Sequence, residues 1–196
     1  MRELDRPLAC VLLMSVLAGC SDWRRARPIR QLEDPPARRA TAYLAYFVSP
    51  ALKQAVYARY TPAAGGASLK MGEAMETGIP AVMRAAFERS VAIEEPVVSA
   101  LPQGVSCLLI PELLDVNMEM TTLSFRKDVG AIRMRWTALG PNGSSVWVQT
   151  ITGESSGMCM SERCRKEVLE RALVDQFHKA AYELARANWR EMTCDR

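Results

Sequence analysis

Ile132-Arg133-Met134-Arg135-Trp136-Thr137-Ala138 is the stretch whose reading decides the fold of this chain. Ile132, Met134, Trp136 and Ala138 alternate with Arg133, Arg135 and Thr137, and a period of two sends the two sets to opposite faces of a β-strand. One face suits a core and the other water, as in an antiparallel sheet covered on a single side. The strand is expected over Phe125 to Leu139, closed by the turn Gly140-Pro141-Asn142-Gly143. Val146 to Thr152 resumes the strand pattern after it. Upstream, Cys107 to Met120 sets Leu108, Ile110, Leu114, Val116, Met118 and Met120 against Asp115, Asn117 and Glu119. Glu112 falls out of step after Pro111, which predicts a bulge or an edge there. The three segments read as an antiparallel meander.

Working outward, the period changes. From Gly72 to Ser90, Met75, Ile79, Val82, Met83, Ala86 and Phe87 fall on one side of a helix, with Glu73, Glu76, Arg84, Glu88 and Arg89 on the other. Pro80 lacks a backbone donor and is expected to kink this helix or restart it near Ile79. From Ser161 to Arg190, Val168, Leu169, Ala172, Leu173, Phe177, Ala180, Ala181 and Leu184 predict a long amphipathic helix. Thr41 to Val48 is β-rich and ends at Ser49-Pro50; Leu52 to Tyr60 alternates as a second strand or hairpin arm, and Pro62 to Gly66 is a loop. The order is β(β)α-βββ-α. That order predicts an α+β fold, a two-layer sandwich with a mostly antiparallel sheet and two helices on one face, spanning 41–196 as a single domain.

The chain has 196 residues, 49% of them hydrophobic, with a net charge of +3. That supports one domain with a real core, and so small a charge does not suggest a nucleic-acid binder. Within the first residues Arg2, Arg6, Glu3 and Asp5 cancel, and the basic excess gathers in Arg24, Arg25, Arg27, Arg30, Arg38 and Arg39.

Pro7 to Leu17 is apolar and follows that charged start. It is shorter than the roughly 20 residues a membrane-crossing helix needs but suits a signal core. Leu17-Ala18-Gly19-Cys20 closes it and resembles the lipobox of bacterial lipoproteins; the alternatives are a plain secretory signal and a membrane-spanning helix. The resemblance implies that 1–19 is a lipoprotein signal peptide and that Cys20 becomes the acylated, palmitate-bearing first residue. Several acyl chains together anchor a protein stably, at about 0.8 kcal/mol per buried CH2. By the same resemblance, aspartate directly after the cysteine would imply retention in the inner membrane; serine at position 21 therefore implies the outer membrane, with the protein facing the periplasm, although some bacteria also read the position of Asp22. Residues 20–40, with Pro28, Pro35 and Pro36, read as an Arg/Pro-rich tether reaching on the order of 60 Å when extended. Its arginines attract anionic headgroups or simply solvate a linker.

With Cys10 removed and Cys20 acylated, Cys107, Cys159, Cys164 and Cys194 remain, and three pairings are open to them in an oxidising compartment. Cys159–Cys164 closes a small loop worth about 2 kcal/mol; Cys107–Cys194 then ties the start of a strand to the tail.

In its layout (lipobox, tether, first strand, a helix ending Ala85-Ala86-Phe87, meander, C-terminal helix) the chain resembles the small outer-membrane lipoproteins of the anticodon-binding-domain-like group. That group takes in the YajG-type and Pel-secretion lipoproteins and, more loosely, LptE and the TolB N-terminal domain. The resemblance implies an accessory subunit of an envelope assembly, transport or secretion complex, with a protein partner, a membrane anchor and, in the Pel type, a homo-oligomeric ring. No cofactor and no nucleic acid enter that expectation. A ligand- or lipid-binding periplasmic module is the alternative.

An enzyme is the third reading. Gly153-Glu154-Ser155-Ser156-Gly157 matches the Gly-x-Ser-x-Gly elbow, with Asp175 and the only histidine, His178, following in hydrolase order. Against it, no helix starts at once after Gly157, Asp175 and His178 share a helix, and a Gly/Ser turn accounts for the stretch. Met158-Cys159-Met160 with Cys164, Met118 and Met120 has the softness of a copper site, but a disulfide loop and core methionines explain it as well. No catalytic or metal residue is therefore assigned. Tyr57, Tyr60 and Trp147, with Arg133 and Arg135 on the polar sheet face, are the candidate contact surface, whereas Trp136 and Trp189 are expected to pack.

Overall fold

The computed structural model describes residues 24–121, 126–189 and 191–192. Eleven elements follow in order: β1 (Ala40–Phe47), α1 (Pro50–Lys53), β2 (Val56–Thr61), β3 (Gly65–Lys70), α2 (Gly72–Ala86), β4 (Phe87–Ile93), a 3-10 turn (Val98–Ala100), β5 (Cys107–Glu119), β6 (Asp128–Leu139), β7 (Ser145–Gly157) and α3 (Glu162–Arg186). Five strands form one sheet in the order β4-β1-β5-β6-β7, and β2 and β3 form a separate hairpin. This is the α+β sandwich expected, with a five-stranded sheet beneath α2 and α3.

Its antiparallel half follows the sequence pattern closely. β6 buries Ile132, Met134, Trp136 and Ala138 completely and pairs antiparallel with β5 and β7. The β6–β7 turn closes with Gly143 at φ 78°, where Asn142 Oδ1 accepts from the Ser144 amide at 3.0 Å. In β5 the parity differs from expectation. Its bulge sits at Leu114 rather than after Pro111, because the register shifts between Leu113 and Asp115. Before the bulge Leu109, Pro111 and Leu113 share the helix-facing side of Ala138, Trp136 and Met134; after it Val116 and Met118 do. Leu108 and Ile110 therefore lie on the opposite face, and Leu114 is exposed.

The other half is parallel. β1 pairs parallel with both β4 and β5, and α2 provides the crossover from β1 to β4. The expected helix to Ser90 ends instead at Ala86, and Phe87–Ile93 is a strand. Val91 and Ile93 pair there with Ala45 and Phe47, so pairing as the edge strand beside β1 overrides the helical spacing. Pro80 sits inside α2, which continues across it as one helix. The expected strand from Leu52 begins as the short α1, capped by Ser49 Oγ accepting from the Leu52 amide at 3.3 Å. Only Val56 onward is extended, paired with β3, whose first residues had read as loop.

Two glycines let the layers close. A Cβ on Gly153 of β7 would run into the Ala172 carbonyl and the Gln176 backbone of α3. One on Gly78 of α2 would strike the Phe177 ring, where α2 crosses α3. A buried ion pair locks the end of the sandwich. Arg165 Nε meets Asp128 Oδ2 at 2.7 Å with both side chains almost wholly enclosed, while Asp128 Oδ1 accepts from the Thr121 amide at 2.8 Å. Arg165 Nη1 also donates to the Gly66 carbonyl at 3.3 Å, so the hairpin, the sheet and α3 meet at one charge pair.

The segment expected as a tether is docked from Arg24 onward. The Ala26 amide donates to the Lys70 carbonyl at 2.8 Å, the Arg27 amide to Glu170 Oε1 at 2.9 Å and the Ile29 amide to Thr77 Oγ1 at 2.9 Å. Ala26 and Leu32 are buried in the core cluster. A strap thus crosses α3 and α2 before turning into β1. Two apolar side chains and three satisfied amides hold it there, a signal too sparse to show as periodicity. Cys20 and the signal segment lie outside the described residues. Among the described residues no helix is long and apolar enough to cross a membrane.

Candidate functional site

The five residues expected to form one contact surface are spread over three surfaces. Arg133 and Arg135 lie on the sheet face away from the helices, paired across strands with Asp115 and Glu112. Arg135 is held by Glu112 Oε2, at 2.6 Å from Nη2 and 3.2 Å from Nε. Trp147 is on the other side. It pairs with the buried Ala138, and its ring lies 5.5 Å from that of Trp189, which stands edge-on to Phe87 at 5.4 Å. The register that places Ala138 inward places Trp147 inward too, so this tryptophan packs with Trp189. Tyr60 projects from the hairpin, 74% exposed. Tyr57, on the opposite face of the hairpin, is partly buried against the core, with Arg59 and the Met118 backbone beside its enclosed hydroxyl. Burial raises the Tyr57 phenol above its ordinary value, opposed by the neighbouring Arg59.

Gly153 to Gly157 is a continuation of β7, not a turn. Ser155 pairs with Gly130 in mid-ladder, and its hydroxyl accepts from Arg171 Nε at 3.2 Å. Asp175 Oδ2 accepts from the Glu154 amide at 2.8 Å and from Lys179 Nζ at 2.7 Å. His178 Nε2 is enclosed without a partner. No hydrogen bond joins Ser155, Asp175 and His178, and an elbow requires the serine at a strand-to-helix turn. The motif is a sheet segment whose glycines admit α3.

Cys159 and Cys164 form a disulfide, Cα to Cα 5.3 Å, as the short loop suggested. It pins the loop after β7 to the first turn of α3, where Ser161 Oγ accepts from the Cys164 amide at 3.2 Å. Bonded to each other, these sulfurs offer no thiolate pair to a soft metal; Met118 is a buried core residue, and Met158 and Met160 are exposed. Among the described residues no group of three or more His, Cys, Asp or Glu is placed to hold a metal ion. Cys107, buried at the start of β5, is also disulfide-bonded; Cys194, its expected partner, lies outside the described residues.

What the sequence reading missed are two cavities roofed by the strap. One, of about 650 Å3, lies between the strap and α3 and has mixed charge, with Arg27, Arg171, Glu167, Glu170, Asp175 and His178 on its walls. The other, of about 530 Å3, brings Arg30 and Arg39 of the strap to Arg84 of α2 and Arg89 of β4. Treating the strap as a linker separated the first two arginines from the last two. The helix-to-strand change between Arg84 and Arg89 hid the rest of the signal.

No protein-family model matches the chain, and no curated protein does. Solved structures are similar in fold. Protein XCC0632 from Xanthomonas campestris, of family DUF330, superimposes with a TM-score of 0.53 at 12% identity, over 86% of this chain and 95% of that one. A PelC dodecamer from Paraburkholderia phytofirmans matches at a TM-score of 0.40 and 16% identity, over 80% of this chain and 97% of that one. Lipoprotein GNA1162 from Neisseria meningitidis matches at 0.30 and 12%, over 71% and 95%. At these identities the likeness to XCC0632 speaks to the fold, and the two looser matches carry no further argument.

Proposed function

We propose that this protein is a lipid-anchored accessory subunit of a bacterial envelope complex, held to the outer membrane through Cys20 and facing the periplasm, and that it acts by contact with a protein partner rather than by catalysis. The carrying observation is Leu17-Ala18-Gly19-Cys20 at the end of a signal-length apolar run. Two structural facts support it. The disulfides suit an oxidising compartment, and the one sequence motif with enzymatic promise is part of a continuous strand. Assembly as a homo-oligomer belongs to the same proposal.

Palmitate labelling tests the anchor. The native chain should take up label and fractionate with outer membranes, whereas Cys20→Ala should lose both; a labelled Cys20→Ala chain would sink the reading. Crosslinked membranes test the partner, with recovery of a defined envelope assembly expected. A ligand- or lipid-binding periplasmic module is the second reading, favoured by the cavities under the strap.

A further inference from the structure

The arginine-lined cavity carries a strongly one-sided charge. Arg30, Arg39, Arg84 and Arg89 share its walls with a single carboxylate, Glu88. None of the four forms an ion pair with a described carboxylate. Two are fixed in place by neutral partners: Arg84 Nη2 donates to the Arg30 carbonyl at 2.9 Å, and the Arg89 guanidinium lies 4.2 Å from the centre of the Tyr43 ring. Leu32, Ala81, Ala85 and Phe87, all buried, supply an apolar floor.

All four arginine side chains are solvent-exposed, so water and salt screen their mutual repulsion, but their summed positive potential still draws an anion into the concavity. The guanidinium fork matches the paired oxygens of a phosphate, and two or more forks around one concavity select it over a point charge. The volume is that of a small-molecule site. We propose that this cavity binds a phosphate group, and that the apolar floor beside it receives the adjoining part of a phosphate ester, as in the headgroup and glycerol of an anionic phospholipid. The lipid as source rests on the membrane anchor proposed above; the phosphate site itself does not. The strap that supplies Arg30 and Arg39 is also the segment joining the body to Cys20, so a lipid-anchored chain would hold the cavity near headgroups.

The test uses the purified full chain in non-ionic detergent, titrated calorimetrically with inorganic phosphate, dihexanoyl phosphatidylglycerol or dihexanoyl phosphatidylcholine at physiological salt. Saturable binding of the glycerol ester is expected, weakened at least tenfold in Arg39→Gln/Arg89→Gln and unchanged in the charge-matched control Arg163→Gln/Arg186→Gln. Arg39→Lys, which keeps the charge and loses the fork, should fall between native chain and double variant. Thermal unfolding of each variant shows whether it is folded. Saturable binding of phosphate but not of the ester supports the site and overturns the lipid source. Equal losses in the control pair, or no saturable binding of either anion, overturn the site. Neither result bears on palmitate labelling, so the anchor stands or falls separately.

Discussion

At the scale of single residues, the Asp128–Arg165 pair is where a small change should cost most. Both charges are out of water and each has further backbone partners, so removing one strands the other in a medium that cannot solvate it. Asp128→Asn should lower unfolding free energy by about 3–5 kcal/mol, whereas the apolar double replacement Asp128→Leu/Arg165→Met should cost far less; chemical denaturation of the three chains compares them. The phenols give a second expectation. Burial raises the Tyr46 and Tyr57 pKa above 10.0, opposed by Arg84 and by Arg59 respectively. A raised folded-state pKa contributes stability that is complete below the unfolded value and is lost as pH rises through the folded one. Stability should therefore be insensitive to these groups at neutral pH and should fall above pH 10.0. Tyr57→Phe should flatten that fall by removing the titrating group. Denaturation midpoints across alkaline pH would show it.

Among the elements, β6 was legible because its alternation is unbroken from Ile132 to Ala138: four apolar side chains inward, with Arg133, Arg135 and Thr137 on the other face. β4 was not. Phe87 continues the apolar stripe of α2, and β4 is an edge strand whose residues after Phe87 are half-buried or exposed with no clean alternation. The bulge at Leu114 hid itself similarly, since one extra residue reverses the parity of everything before it, and reading β5 from its far end assigned Leu108 and Ile110 to the wrong face. The same parity logic, carried across the β6–β7 ladder, turned Trp147 inward, although from sequence it seemed free for contact. Gly153 shows what element packing demands. Its missing side chain is where α3 rests on β7, and Gly153→Ala should push the helix off the sheet at a cost of about 1–3 kcal/mol. An equal loss is not expected for Gly143→Ala; there the space is open and only the positive φ of 78° opposes the methyl. Thermal melts of the two variants separate close approach from turn strain.

For the whole molecule, the unexpected part is the strap. Polar, arginine-rich and marked by three prolines, the stretch after Cys20 had every mark of a linker. Yet Ala26 and Leu32 are as buried as core residues of the sandwich, at 2% and 3% exposure. Leu32→Asp should free the strap while leaving the sheet and helices folded. Trypsin should then cut after Arg30 at least tenfold faster than in the native chain, with the far-ultraviolet dichroism nearly unchanged. Equal cutting rates would show that Leu32 does not hold the strap.

A docked strap would change how much room a body anchored at Cys20, as proposed, could have. From Cys20 to Arg24 is four residue steps, at most about 14 Å of extended chain, against roughly 60 Å if the whole stretch to β1 swung freely. The volume swept scales as the cube of that length, so the accessible hemisphere shrinks by nearly two orders of magnitude. If Cys20 is acylated as proposed, a chain of this shape would meet partners by drifting sideways with its lipids, with the face that carries the strap turned toward the bilayer.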